Sequence, residues 1–191
     1  MDALIGLAAF AAVTTVTPGP NNTMLMATGA NRGLRGSWPH MGGIMLGFAV
    51  MVLALGAGLA PAVEGRPGLR AAMQAAGLAY VAWLAWRIAR AAPPGQARAA
   101  RPVTLWQAAA FQWVNPKAWA MVLAALATHG AVPGGPVTVA LVFAAIGLPC
   151  HLLWVLAGAR IARLIADPAR LRLFNGAMAV LLVGSMLPVL L

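Results

Sequence analysis

Negative charge is what this chain most conspicuously lacks. Asp2, Glu64 and Asp167 are the only carboxylates in 191 residues, and charged residues of both signs make up 8%. A water-soluble domain carries roughly 25% charged residues, so a soluble globular protein is excluded. Cysteine is nearly absent as well. Cys150 stands alone inside an apolar run, which rules out an intrachain disulfide. The N-terminus "MDALIGLAAF" has no basic stretch and carries Asp2 instead, so it does not read as a cleaved signal peptide and the first helix is expected to stay. Nor does the chain hold an HExxH motif, a nucleophile beside a base, or a pair of embedded carboxylates. No enzyme, metal or cofactor is therefore expected.

Apolar residues are abundant: 62% of the chain, with a mean hydropathy of +0.84. A helix needs about 20 of them to cross the hydrocarbon core, and six segments qualify: 4–26, 41–63, 69–88, 105–127, 137–159 and 171–191. The expected fold class is an all-α polytopic membrane protein with six transmembrane helices in a single membrane domain. A net charge of +10 first suggests nucleic acid, but the arginines sit in short clusters between apolar runs. The expected partner is the lipid bilayer, and no nucleic acid.

The charge clusters set an orientation. The first, third and fifth loops carry Arg32 and Arg35; Arg87, Arg90, Arg98 and Arg101; and Arg160, Arg163, Arg170 and Arg172. The second loop has Arg66 and Arg70 beside Glu64, and the fourth has no Lys or Arg. Basic loops stay cytoplasmic, so the odd loops face inward and both termini lie outside. Trp38, Trp83, Trp86 and Trp106 fall near the cytoplasmic ends, where indole favours the interface. Trp113, Trp119 and Trp154 lie deeper, as cavity walls or as packing.

Three spans plus three give two halves of opposite topology: a first repeat over about 1–91, a linker over about 92–103 and a second repeat over about 104–191. Each half has an interrupted first helix. "TPGPNN" (17–22) breaks helix 1 and "VNPKAW" (114–119) breaks helix 4. "AGLAYVAWLAW" from Ala76 and "NGAMAVLLVGS" from Asn175 add a weaker likeness that aligns Gly77 with Gly176.

Proline lacks an N–H and clashes with the preceding turn, and the residue before it is driven to extended geometry. Helix 1 should stop near Thr17 and restart about three residues on. Asn115-Pro116 is a helix-start signature, with Asn as N-cap and Pro at the first helical position. Unwound backbone at mid-membrane depth is tolerated only where protein buries it or a wet cavity adjoins it. The restarted helices offer free N–H groups and the positive end of a dipole, which suit a carboxylate, and Lys117 adds a cation at that level. A lone lysine at the bilayer centre costs about 2.5–3.5 kcal/mol on insertion scales. Two readings stay open: the breaks build a ligand site, or they kink two helices for packing. Lys117 either serves that site or is structural, snorkelling or bonding the C-terminal carbonyls of the interrupted first helix. An ammonium group would find acceptors among Thr14, Thr17, Asn21, Asn22, Gln112 and the carbonyls freed at the breaks. Gly43 and Gly47, spaced small-xxx-small, should let helices approach closely.

At these residues the chain resembles a known family. "TPGPNN", "GGIMLGF" (42–48), "AGLAYVAWLAWR" and "FQWVNPKAW" (111–119), with the six-span layout, are similar to the LysE/RhtB superfamily of bacterial amino-acid exporters. The resemblance implies a multi-pass protein of the bacterial cytoplasmic membrane that exports small amino acids or close derivatives, coupled to proton influx as an antiporter. It also implies that Thr17, Pro18, Gly19, Pro20, Asn21, Asn115, Pro116 and Lys117 lie on the translocation path. The first and third spans look nearest to exporters of cysteine and O-acetylserine. One departure stands out: many relatives carry Asp where this chain has Asn21. With no carboxylate at mid-membrane, the proton carriers left are His151, Lys117 or the substrate itself. His151 titrates in a suitable range, or it is a neutral ring bonded to a backbone carbonyl. His40 and His129 read as interfacial. A homodimer is compatible with so small a chain, though no pattern marks an interface. The alternative to a transporter is a non-transporting membrane subunit or scaffold, for which the sequence offers no docking tail.

Overall fold

The computed structural model describes residues 2–90, 103–164 and 167–185, and these are helical with no strand among them. The linker at 92–103 falls, but for its last residue, outside the described residues, as do Arg98, Arg101 and the end of the sixth expected span. The helices are α1 (Asp2–Val16), α2 (Pro20–Ala54), a π turn (Leu55–Leu59) running into α3 (Ala60–Glu64), α4 (Pro67–Ala89), α5 (Leu105–Gln112), α6 (Pro116–His129), α7 (Gly135–Leu164) and α8 (Pro168–Gly184). Two stretches, Pro20–Val63 and Gly135–Leu164, are long and apolar enough to cross a membrane by themselves.

Both proline motifs interrupt the helix as expected. α1 ends before Thr17 and α2 starts at Pro20; α5 ends at Gln112 and α6 starts at Pro116. The expected first loop is not a loop. The backbone folds back within α2 at Gly33, with φ 65° and ψ −171°, a region open essentially to glycine alone. Thr28 Oγ1 then lies 3.2 Å from His40 Nδ1, whereas twelve residues of straight helix span about 18 Å. The second helical limb therefore starts near residue 34, not 41. His40, expected at an interface, is fully buried beside Thr28.

Side-chain pairs give the relative directions. Gly6 and Phe10 meet His129, Thr17 meets Lys117, and Asn21 meets Gln112, so helix 1 and helix 4 run antiparallel with their breaks at one level. α1 runs parallel to α7, with Phe10 on Phe143 and Val16 bonded by Trp154. The limb after Gly33 runs parallel to α5. A Cβ on Gly43 would fall 2.2 Å from Leu105 O, and one on Gly47 would fall 2.4 Å from Ala109 O, so these glycines do bring two backbones together. Gly77 abuts Val114 O at the second break, whereas Gly176 has nothing within 4 Å. The two glycines aligned on sequence thus play different parts.

Two apolar clusters form, one around Met24, Leu25, Ile44, Phe111 and Val155, the other around Leu7, Ala11, Phe48, Ala118 and Phe143. Helix 1, the limb after Gly33, helix 4 and α7 each contribute to both, and the breaks fall between the clusters. Outside, Ile5, Val13, Leu141, Leu153, Leu173 and Val180 are exposed, an apolar surface suited to lipid.

Candidate functional site

Backbone carbonyls at the end of α1 have no partners within the helix, and every one of them is answered from elsewhere. Val13 O accepts Thr17 N, and Thr14 O accepts Thr17 Oγ1. Thr15 O accepts Asn22 Nδ2 at 2.6 Å, Val16 O accepts Trp154 Nε1, and Thr17 O accepts Asn22 Nδ2 at 2.8 Å. The Lys117 ammonium donates to Thr17 O at 2.8 Å, Thr17 Oγ1 at 2.9 Å and Pro18 O at 3.2 Å, which uses all three of its donors. Each hydrogen bond to a charged group is worth about 1.5–3 kcal/mol. These bonds offset the insertion cost of the lysine. Of the two arrangements open for Lys117 on sequence, the geometry is the one that bonds the C-terminal end of the first helix. Gly19, extended at φ 177°, has no side chain to obstruct this: a Cβ there would lie 2.8 Å from Lys117 Cδ.

The N-terminal ends of the restarted helices differ. Asn115 caps α6, its Oδ1 accepting Lys117 N at 3.1 Å, with Pro116 in the first position. α2 has Gly19 as its N-cap and no side-chain cap bond. Asn21 and Gln112 exchange two bonds, Nδ2 to Oε1 at 2.8 Å and Nε2 to Oδ1 at 3.2 Å, and Gln112 also donates to Ala108 O.

Between the breaks lies a cavity of about 50 Å³, room for a few water molecules. Gly19, Asn21, Asn22, Asn115, Lys117 and His151 line it, with Thr14 and Thr15 from α1. Thr17, Pro18, Pro20 and Gln112 are not in its lining; Thr17 and Pro18 bond Lys117, and Gln112 bonds Asn21. Pro116 lines a separate groove of about 250 Å³ with Trp113 and Trp119. The deeper tryptophans thus do not wall the central cavity. Trp119 Nε1 bonds Trp113 O, and Trp154 bonds Val16 O. Ile44, Met45, Phe48, Met121 and Phe143 supply an apolar side that the sequence reading missed. An apolar residue on one helix face carries no signal in a chain this apolar. His151 is 6% exposed, and among the described residues its Nδ1 is buried with no partner and no bond to a backbone carbonyl forms. Asp167 caps α8 through Ala169 N, at an element end and far in sequence from the breaks.

The arrangement offers a positive helix end without a side-chain cap, a cation beside it, an unpartnered imidazole and an apolar wall. Residues 12–189 match the family described as LysE type translocator. Similar proteins include the cysteine/O-acetylserine efflux protein of Klebsiella pneumoniae, 33% identical over 150 residues that make up 76% of each chain. The protein of that name from Escherichia coli is 34% identical over 164 residues, 83% of each chain. No solved structure matches.

Proposed function

The chain belongs to the LysE type translocator family, and from that premise we propose that it exports small amino acids, or derivatives such as O-acetylserine, across the bacterial inner membrane in exchange for protons. Membership makes it a membrane translocator and not an enzyme. The observation that carries the proposal is the meeting of two broken helices at one cavity, where the α2 amide end lacks a side-chain cap and Lys117 stands beside it. In this reading the substrate carboxylate takes the Asn21 and Asn22 end of α2 and draws on the Lys117 charge. The side chain rests against Phe48 and Phe143, whose rings pack 4.8 Å apart.

Six spans as two inverted halves, with the odd loops cytoplasmic and both termini outside, fit the antiparallel course of helices 1 and 4 and the parallel course of α1 with α7. Alternating access in this reading opens the cavity to the cytoplasm and then to the outside. Everted vesicles containing the protein should take up L-cysteine and O-acetyl-L-serine when a pH gradient is imposed, and vesicles without it should not. Absence of uptake would sink the export reading. Uptake by Lys117→Ala at the wild-type rate would leave export standing and remove the site.

A further inference from the structure

Resting on the export reading, the inference concerns the ammonium end of the substrate. Several of the acceptors that sequence offered are engaged. The carboxamide oxygens of Asn21 and Asn115 accept from other protein groups, as do the carbonyls of Thr15, Thr17 and Pro18. Asn22 donates twice through Nδ2, and Thr14 donates to Phe10 O, so both keep a neutral oxygen that can accept. No carboxylate is within the cavity lining. Beside these oxygens stands His151, which lines the cavity from α7, is more than nine-tenths buried, and has a ring nitrogen with no partner among the described residues. Buried polar atoms without partners are rare and call for an explanation. Because no hydrogen bond fixes the tautomer, the ring can present a lone pair to a donor in the cavity.

We infer that the His151 imidazole receives the substrate's ammonium, and that the same lone pair accepts the transported proton, so that substrate and proton exclude one another. In the outward-open cavity a proton adds to the ring nitrogen, the ammonium N–H···N contact breaks, and the zwitterion leaves unchanged. In the inward-open cavity that proton departs to the cytoplasm before the next ammonium binds. One proton enters for each amino acid that leaves, with no covalent bond made or broken. The charged and titratable groups around the ring favour this exclusion. α6 presents Lys117, already a cation; α2 presents Asn21 and Asn22, and α1 presents Thr14 and Thr15, all neutral. With Lys117 charged, the cavity holds one further positive charge, ammonium or proton, more readily than both together.

Purified protein in proteoliposomes tests this with L-cysteine, O-acetyl-L-serine and 3-mercaptopropionate, which keeps the carboxylate and thiol but has no amine. His151→Gln keeps an acceptor and cannot hold a proton. Its exchange of labelled L-cysteine should slow about tenfold but persist, while accumulation driven by a pH gradient falls to that of empty vesicles. His151→Leu should weaken L-cysteine more than tenfold and leave inhibition by 3-mercaptopropionate within threefold of wild type. Accumulation by His151→Gln in proportion to its exchange, or equal weakening of both ligands by His151→Leu, overturns the inference while export stands. Wild-type protein that moves neither amino acid overturns the export reading as well.

Discussion

The two helix breaks are built from the same residue types and are stabilised in opposite ways. At the second break the answer is local: Asn115 caps the helix that follows it, two residues on. At the first break the answer comes from a distance. The carbonyl end of α1 is met by Lys117, a hundred residues away, by Trp154 and by Asn22 across the gap. The positive end of α2 is left without a side-chain cap. A self-capped helix start can form before the rest of the fold arrives, whereas a break closed by remote groups holds only while the halves are docked. The first break is thus the one held from the other half of the chain, by Lys117 and Trp154.

The largest effect that would sharpen this contrast is expected from Lys117→Ala. It removes the cation from the cavity and leaves Pro18 O without a donor, while Thr17 O keeps Asn22. Transport into everted vesicles should fall on the order of 100-fold, about 2.8 kcal/mol at about 1.4 kcal/mol per decade. Stability should fall by only about 0.5–1.5 kcal/mol, because Pro18 is exposed and Thr17 O keeps a donor. Next comes Asn22→Ala, which strips Thr15 O of its bond and Thr17 O of one of two. A loss of about 2 kcal/mol is expected, read as a fall in detergent melting temperature of about 4–8 °C for a chain this size. Asn115→Ala loses a single cap and should cost about 1 kcal/mol, or about 2–4 °C. A larger shift for Asn115→Ala than for Asn22→Ala would reverse the contrast. Smallest is the Asn21–Gln112 pair. A double-mutant cycle with Asn21→Ala and Gln112→Ala in the same melting assay should return a coupling of about 0.5–1.5 kcal/mol, and zero coupling would mean the pair does not tie the halves together.

Much of this could be read in advance at particular residues. Pro18 and Pro20 on one side and Asn115-Pro116 on the other announced where helices stop and start, because a missing N–H and a fixed φ act within a turn. Gly43 and Gly47 announced a close helix contact, which they make with Leu105 and Ala109. Gly33 was overlooked. Flanked by asparagine and arginines, it read as part of a loop, yet the helix runs to it and reverses there. His40 was misplaced with it, since the fold-back buries a ring that span counting put at the surface.

Sequence alone determined the class of protein and the positions of the breaks, since apolar run length and proline geometry are properties of neighbouring residues. Tertiary structure decided what each break faces: that Lys117 binds the end of α1, that Asn21 and Asn22 are engaged, and that His151 is left without a partner. Those outcomes depend on contacts between residues up to 138 apart. Such contacts follow from how closely glycine-faced helices can pack, and no local pattern in the chain encodes them.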